Sequence, residues 1–318
     1  MASETLSEAI PPRGRLLRRL LWAVLALLAL LVLYYVGGAA YFHRIDADPA
    51  FGRAVEVPEG GSRAVAVAAA LVEREVETHR WVANDPFFQP AWILDNMPSF
   101  QTGIVYGVSR FAVELTDHLA RVRGASQVDP DADAAAGRLK YPGDVWFLEW
   151  SRTPVQPSSE SQYRRAVEDL RRFNERLARG QATFERRADN LIATLERIAA
   201  DTGGSSAASF EQIDSGATVW LDFHADNLFY ANKGRIYAYA LLLEALGQDF
   251  AAVIGERNVQ RNWDELVRTF MAAAVLQPWV VSNGALDSMW RPNHLASQGF
   301  LLLRARFQLY EVINVLTK

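Results

Sequence analysis

The sequence predicts a mainly α protein: a single N-terminal transmembrane helix followed by an all-α helical bundle containing one long heptad-patterned helix. Three observations carry that expectation. Leu20 to Phe42 is a run of 23 residues without a charge, and Tyr163 to Ile198 repeats apolar residues in an alternating three-four spacing. No stretch shows the period-two alternation of a half-buried strand, and none repeats at solenoid periods.

The uncharged run comes first. A helix rises 1.5 Å per residue, so it would reach about 35 Å against a hydrocarbon core of about 30 Å. Eight leucines lie within it, Trp22 stands near one end, and Tyr34, Tyr35 and Tyr41 stand near the other, where amphipathic rings suit the headgroup region. Gly38-Ala39-Ala40 loosely suits a signal peptidase, but the run far exceeds the 7 to 15 residues of a signal h-region, so it reads as an uncleaved anchor. Arg13, Arg15, Arg18 and Arg19 precede it, whereas His43, Arg44, Asp46 and Asp48 follow. By the positive-inside rule residues 1–19 are a cytoplasmic basic tail, and everything after the span faces outward.

Composition narrows the rest. The chain has 318 residues and a net charge of −4; its first 44 carry five arginines against Glu4 and Glu8, so the remaining 274 residues stand near −7. That balance excludes nucleic-acid binding by a basic surface. No cysteine is present, which excludes disulfides, thiolate metal sites, a cysteine nucleophile and a lipid-modified cysteine. Arginine makes up 30 of the 33 basic residues, a bias of composition that discounts arginine clusters as functional signals.

Residues 43–61, with Pro49, Gly52, Pro58, Gly60 and Gly61, read as a juxtamembrane linker, and 62–318 as one periplasmic helical domain. Ser62 caps an alanine-rich helix expected over Arg63 to Val82. The aromatic, proline-dense stretch Trp81 to Trp92 is an ordered loop, because its rings are costly to leave in water. A second helix is expected over Phe100 to Arg123, closed by Gly124. Ser159 and Gln162 form a capping box for the long helix, which could run to Asp201 ahead of Gly203-Gly204, with Gly180 as its weak point. Asn174 and Gln181 interrupt its apolar seam, as polar residues do where register or partner is fixed, and Glu160–Arg164, Glu168–Arg172 and Glu175–Arg179 stand acid before base at i, i+4. The seam suits either an intramolecular bundle or an intermolecular coiled coil. Beyond the short apolar run Thr218 to Leu221, helices are expected over Asp226 to Leu246, with Gly234 as a break, from the Asn262–Glu265 capping box to Leu276, and over His294 to Leu316. The last carries Phe300, Leu303, Phe307, Tyr310 and Ile313 on its expected core face.

Two constellations invite chemistry. Asp222, His224 and Asp226 would share one face if extended and could offer N and O ligands to a divalent cation; the same residues also make a plain helix start with Asp226 as cap. Asp129, Asp131 and Asp133 resemble the opening of a calcium loop, but Ala134 stands where glycine is required and Lys140 where a bidentate Glu belongs, so a solvated helix start fits better. Of the eight tryptophans outside the anchor, exposed ones could stack on glycan or lipid, while burial in helix packing is the ordinary fate. No G-x-S-x-G, H-E-x-x-H, Walker or dinucleotide motif appears, so no catalytic residue is assigned and no cofactor is called for.

The runs Arg80-Trp81-Val82-Ala83-Asn84-Asp85-Pro86-Phe87-Phe88 and Leu94-Asp95-Asn96-Met97-Pro98, Tyr163 onward, and Arg187-Ala188-Asp189-Asn190-Leu191 resemble the DUF2333 family of proteobacterial envelope proteins with one N-terminal membrane helix. The resemblance implies an inner-membrane location and no established activity, and it carries over no functional residue. The expected role is therefore an anchored interaction domain, a scaffold or accessory factor in envelope assembly or maintenance, whose partners are the bilayer through residues 20–42 and an envelope protein or a second copy. The alternative is an anchored enzyme or receptor acting on cell-wall or lipid material.

Overall fold

The computed structural model describes residues 12–121, 128–148, 155–214, 223–278, 280–284 and 292–318. Among them stand eleven α-helices and no strand; Asn283 and Asn293 form an isolated antiparallel bridge. The helices are α1 (Pro12–Phe42), α2 (Phe51–Ala54), α3 (Arg63–Glu73), α4 (Asn96–Glu114), α5 (Pro130–Leu139), α6 (Ser159–Ala178), α7 (Ala188–Asp214), α8 (Phe223–Asp249), α9 (Ala251–Glu256), α10 (Gln260–Ala274) and α11 (His294–Leu316). α1 is long and apolar enough to cross a membrane, and its leucines are exposed.

α8 is the axis of the domain. Residues 236–243 are buried without interruption, the pattern of a helix enclosed on every side. It crosses α4 with backbones almost in contact: a Cβ added to Gly234 would lie 2.0 Å from the Phe100 carbonyl oxygen, and one added to Gly103 would lie 2.2 Å from that of Ala231. Gly234 therefore does not break the helix as expected. Its missing side chain is what admits α4.

The N-terminus of α3 is fastened from two sides. Ser62 caps it as read, accepting from the Val65 N–H, while the Asp249 carboxylate accepts from Ser62 Oγ and from the Arg63 and Ala64 amides. A carboxylate there also suits the helix dipole. Asn174 takes the Ser62 N–H and donates back to the Ser62 carbonyl. The polar interruption of the seam thus fixes a contact within the chain.

The long heptad helix over 160–201 is corrected to two helices. Gly180 takes φ +71° and closes α6 with a Schellman pattern, its N–H on the Leu177 carbonyl and the Gln181 N–H on that of Arg176. The seam survives the break: Tyr163, Leu170, Leu177, Phe184, Leu191 and Ile198 are all buried, while Gln181 is exposed in the turn. α7 then runs through Gly203-Gly204 to Asp214. Neither capping box forms. Ser159 Oγ instead donates to Pro142 and accepts from the Val145 amide, and α10 begins before Asn262 without a side-chain cap. Of the three i, i+4 pairs only Glu175–Arg179 closes; Arg164 reaches Glu77, and Arg172 reaches Asp131 and Asp169.

α11 has the expected bounds, with Asn293 as cap, but the opposite exposure. Phe300, Leu303, Phe307 and Tyr310 point outward, whereas Leu295, Leu302, Ala305, Leu309 and Val312 face the core; of the expected face only Ile313 is buried. The inward side carries small and polar residues, Gly299 and Gln298 among them, with Gln298 donating to the Phe229 carbonyl. They let α11 lie close against α7.

Candidate functional site

The polar residues that cluster most densely in the interior lie where α3 ends. The helix widens into a π-helical turn, Arg74–Thr78, closed by the His79 amide on the Arg74 carbonyl. Such turns insert a residue into the helix and recur at functional sites. Here the turn groups Arg74, Glu75 and His79, all buried. Arg74 donates to Glu75, to the Tyr237 hydroxyl and to the Asp46 carbonyl, while Tyr237 donates to the Asp48 carbonyl. Gln101 of α4 completes the cluster, donating to the Glu75 and Arg80 carbonyls and accepting from the Val82 amide. The first residues after α1 are thereby tied to the centre of the domain.

Burial works against the Arg74 charge, yet Glu75, Tyr237 and Asp46 outweigh it and hold its pKa above the ordinary value. Burial likewise raises the Tyr237 hydroxyl, so it stays a donor. His79 sits between two carboxylates, with Nδ1 3.2 Å from Glu75 and Nε2 3.8 Å from Asp46. A buried carboxylate thus holds one ring nitrogen and leaves the other to face a half-exposed acid.

Asp46 and His79 line an open groove of about 980 Å³ between residues 51–58 and the α3–α6 pair. Its wall is apolar through Val55, Val57, Val65, Ala66 and Leu170, and Glu73 and Arg171 pair along its rim at 2.5 Å. Such a groove suits an extended apolar ligand with a polar end.

Beside it, Arg80 adopts φ +63°, costly for a side chain with a Cβ, and sets its guanidinium 4.6 Å over the Phe42 ring at the end of α1. The same guanidinium pairs with Asp85 at 2.7 Å. Burial nevertheless pushes the Asp85 carboxyl up to about 6, with Arg80 opposing and Glu160 adding to the rise.

The residues singled out in the sequence are arranged otherwise. Asp222 lies outside the described residues, as do Gly124, Thr218 to Leu221, Trp150, Trp220, Trp279 and Trp290. His224 and Asp226 stand in the first turn of α8, exposed and half-buried respectively. Two positions apart on a helix is a rotation of about 200°, so the shared extended face does not form between these two, and the helix starts ahead of Asp226. Among the described residues no group of three or more His, Asp or Glu is placed to hold a metal. Asp129 caps α5 and takes Arg176 on both oxygens, and Asp131 takes Arg172 and Arg176. They are ion-paired acids at a helix start.

The Glu75–His79 pair was legible as an i, i+4 spacing. Nothing local distinguished it from surface pairs, because Asp46, Gln101 and Tyr237 reach it from distant segments.

The architecture defines a class: a helical domain on one apolar N-terminal helix. Residues 54–209 match the family model DUF2333, described as an uncharacterized protein conserved in bacteria, and this is the family whose motifs the sequence resembles. The match takes in the groove walls on α3 and α6 and ends within α7, ahead of α8 and α11. No curated protein and no solved structure matches the chain.

Proposed function

We propose that the chain is a single-pass inner-membrane protein, N-terminus cytoplasmic, whose periplasmic helical domain binds a protein partner as a scaffold or accessory factor in envelope assembly or maintenance. The arginines Arg13, Arg15, Arg18 and Arg19 ahead of the span support the orientation. The observation that carries the binding role is the outer seam of α11. Phe300, Leu303, Phe307 and Tyr310 follow a three-four-three spacing and stand exposed. That spacing fits the apolar face of one helix, read as i, i+3, i+7 anchors.

A photo-crosslinking residue placed at Phe300 or Phe307 in living cells then gives a discrete adduct that the same residue at exposed Glu256 does not. Equal labelling at all three sites, or none, removes the seam as a docking surface. A phosphatase fusion after residue 60 is active in this orientation and inactive in the reverse one.

The groove favours a second reading, an anchored enzyme or receptor acting on cell-wall or lipid material. Ala66→Trp narrows the groove at its apolar wall. On this reading the purified protein carries a lipid or glycan fragment, seen by mass spectrometry, that the variant loses. Protein that carries none in either form counts against it.

A further inference from the structure

We propose that the loop Phe87–Ile93 is a second membrane contact: it dips into the outward-facing leaflet beside α1 and sets the domain's height and tilt on the bilayer. The proposal rests on the reading of α1 as a membrane span.

The loop is bound to the anchor itself. Tyr34 donates its hydroxyl to the Phe88 carbonyl at 3.0 Å, and Tyr35 donates to the Phe87 carbonyl at 2.6 Å. Pro90 is pressed against the helix backbone at Gly38, where an added Cβ would meet it at 2.3 Å. The loop's depth follows from these partners. A hydrocarbon core of about 30 Å that begins at Leu20, just past the last arginine, ends near Ala39. Tyr34 and Tyr35 then lie about 6–8 Å inside that boundary. A start nearer Leu16, with the arginines snorkelling, brings the boundary to the tyrosines themselves. In either register the loop is at the level of the leaflet.

Its chemistry suits that level. Residues 86–94 carry no charge. Phe87 is 68% exposed and Trp92 57%, although burial is the ordinary fate of such rings. The neighbouring segment extends the surface, since Trp146 packs edge-on against Phe88 at 5.6 Å and Phe147 is exposed beyond it. In water these rings would be an apolar patch with no cover. In the leaflet they are solvated by lipid, and the two carbonyls already have their donors, as irregular backbone at membrane depth requires.

The absence of cysteine makes the test direct. Single cysteines replace Phe87, Trp92, Leu28 in the span and exposed Glu256 in the full chain. Each carries a nitroxide label, in vesicles of phosphatidylethanolamine and phosphatidylglycerol. Collision with oxygen, which partitions into lipid, is compared with collision with a water-soluble nickel chelate. The labels at 87 and 92 show an oxygen-to-nickel ratio several-fold above that at 256 and approaching that at 28. Water-like values at 87 or 92 with a lipid-like value at 28 overturn the loop contact and leave the anchor standing. A water-like value at 28 overturns the span and the loop contact with it.

Discussion

α8 and α11 are both long and apolar in sequence, and the domain treats them in opposite ways. α8 is enclosed, with the α4 backbone at Phe100 and Gly103 lying on it and a charge at its end engaged by α3. α11 gives its smaller residues to the core and leaves two phenylalanines, a leucine and a tyrosine outside. Side-chain size therefore does not decide which face goes in. What decides is how closely a neighbouring backbone must approach, and that is set by the partner helix.

The largest expected effect breaks the α8 side of this contrast. Gly234→Ala places a methyl where the Phe100 carbonyl stands, and neither backbone is free to yield. Overpacking of this kind costs about 3 kcal/mol. Chemical unfolding of the full chain in detergent should show it as a lowered midpoint at unchanged slope, and an unchanged midpoint would mean that the two backbones are not in contact.

Next comes the end of α8. Asp249→Ala leaves the Arg63 and Ala64 amides and Ser62 Oγ without their acceptor. The loss is about 2 kcal/mol in the same assay, since it removes both a cap and a charge favoured by the helix dipole. Gln181→Ala, at the exposed position in the turn after α6, should change stability by less than about 0.5 kcal/mol.

Lys233 gives a prediction with a sign. It is buried in α8, donates to the Leu276 carbonyl at 2.6 Å, and burial lowers its pKa to about 8. Its folded pKa is thus below the ordinary lysine value of 10.5, so between about pH 8 and pH 10.5 the unfolded chain holds more protons, and rising pH favours the fold. From pH 7.5 to 9.5 this residue should add about 2 kcal/mol of stability. Lys233→Met flattens that rise; equal slopes for both proteins would show that the ammonium is solvated.

How much of this was legible in the sequence depends on where the information lies. The apolar N-terminal helix, the Ser62 cap, the Asp129 helix start and the bounds of α11 are local, and the structure has each of them. Glycine was misread wherever its role is tertiary. Gly180 ends a helix, while Gly203 and Gly234 continue theirs, because only the first meets open space at a positive φ; the others face Arg306 and the Phe100 carbonyl. The seven-residue rhythm ran on across the Gly180 turn because Phe184 is buried within it, against Phe250. The groove was hidden for a similar reason. Its walls come from residues 51–58, α3 and α6, which are far apart in sequence, so no local spacing marks it.

The smallest expected effect sharpens the α11 side. Phe300→Ser with Phe307→Ser removes two large rings, and at core positions each truncation would cost about 3–5 kcal/mol. Here both rings are more than 60% exposed, so the folded chain surrenders little burial and the double variant should unfold within about 0.5 kcal/mol of the parent. The same variant should lose the adduct formed by a crosslinking residue placed at Tyr310, the last residue of the seam. Retained stability with a lost adduct assigns the rings to a partner. A drop of several kcal/mol would instead place them in the core and make α11 a second enclosed helix like α8.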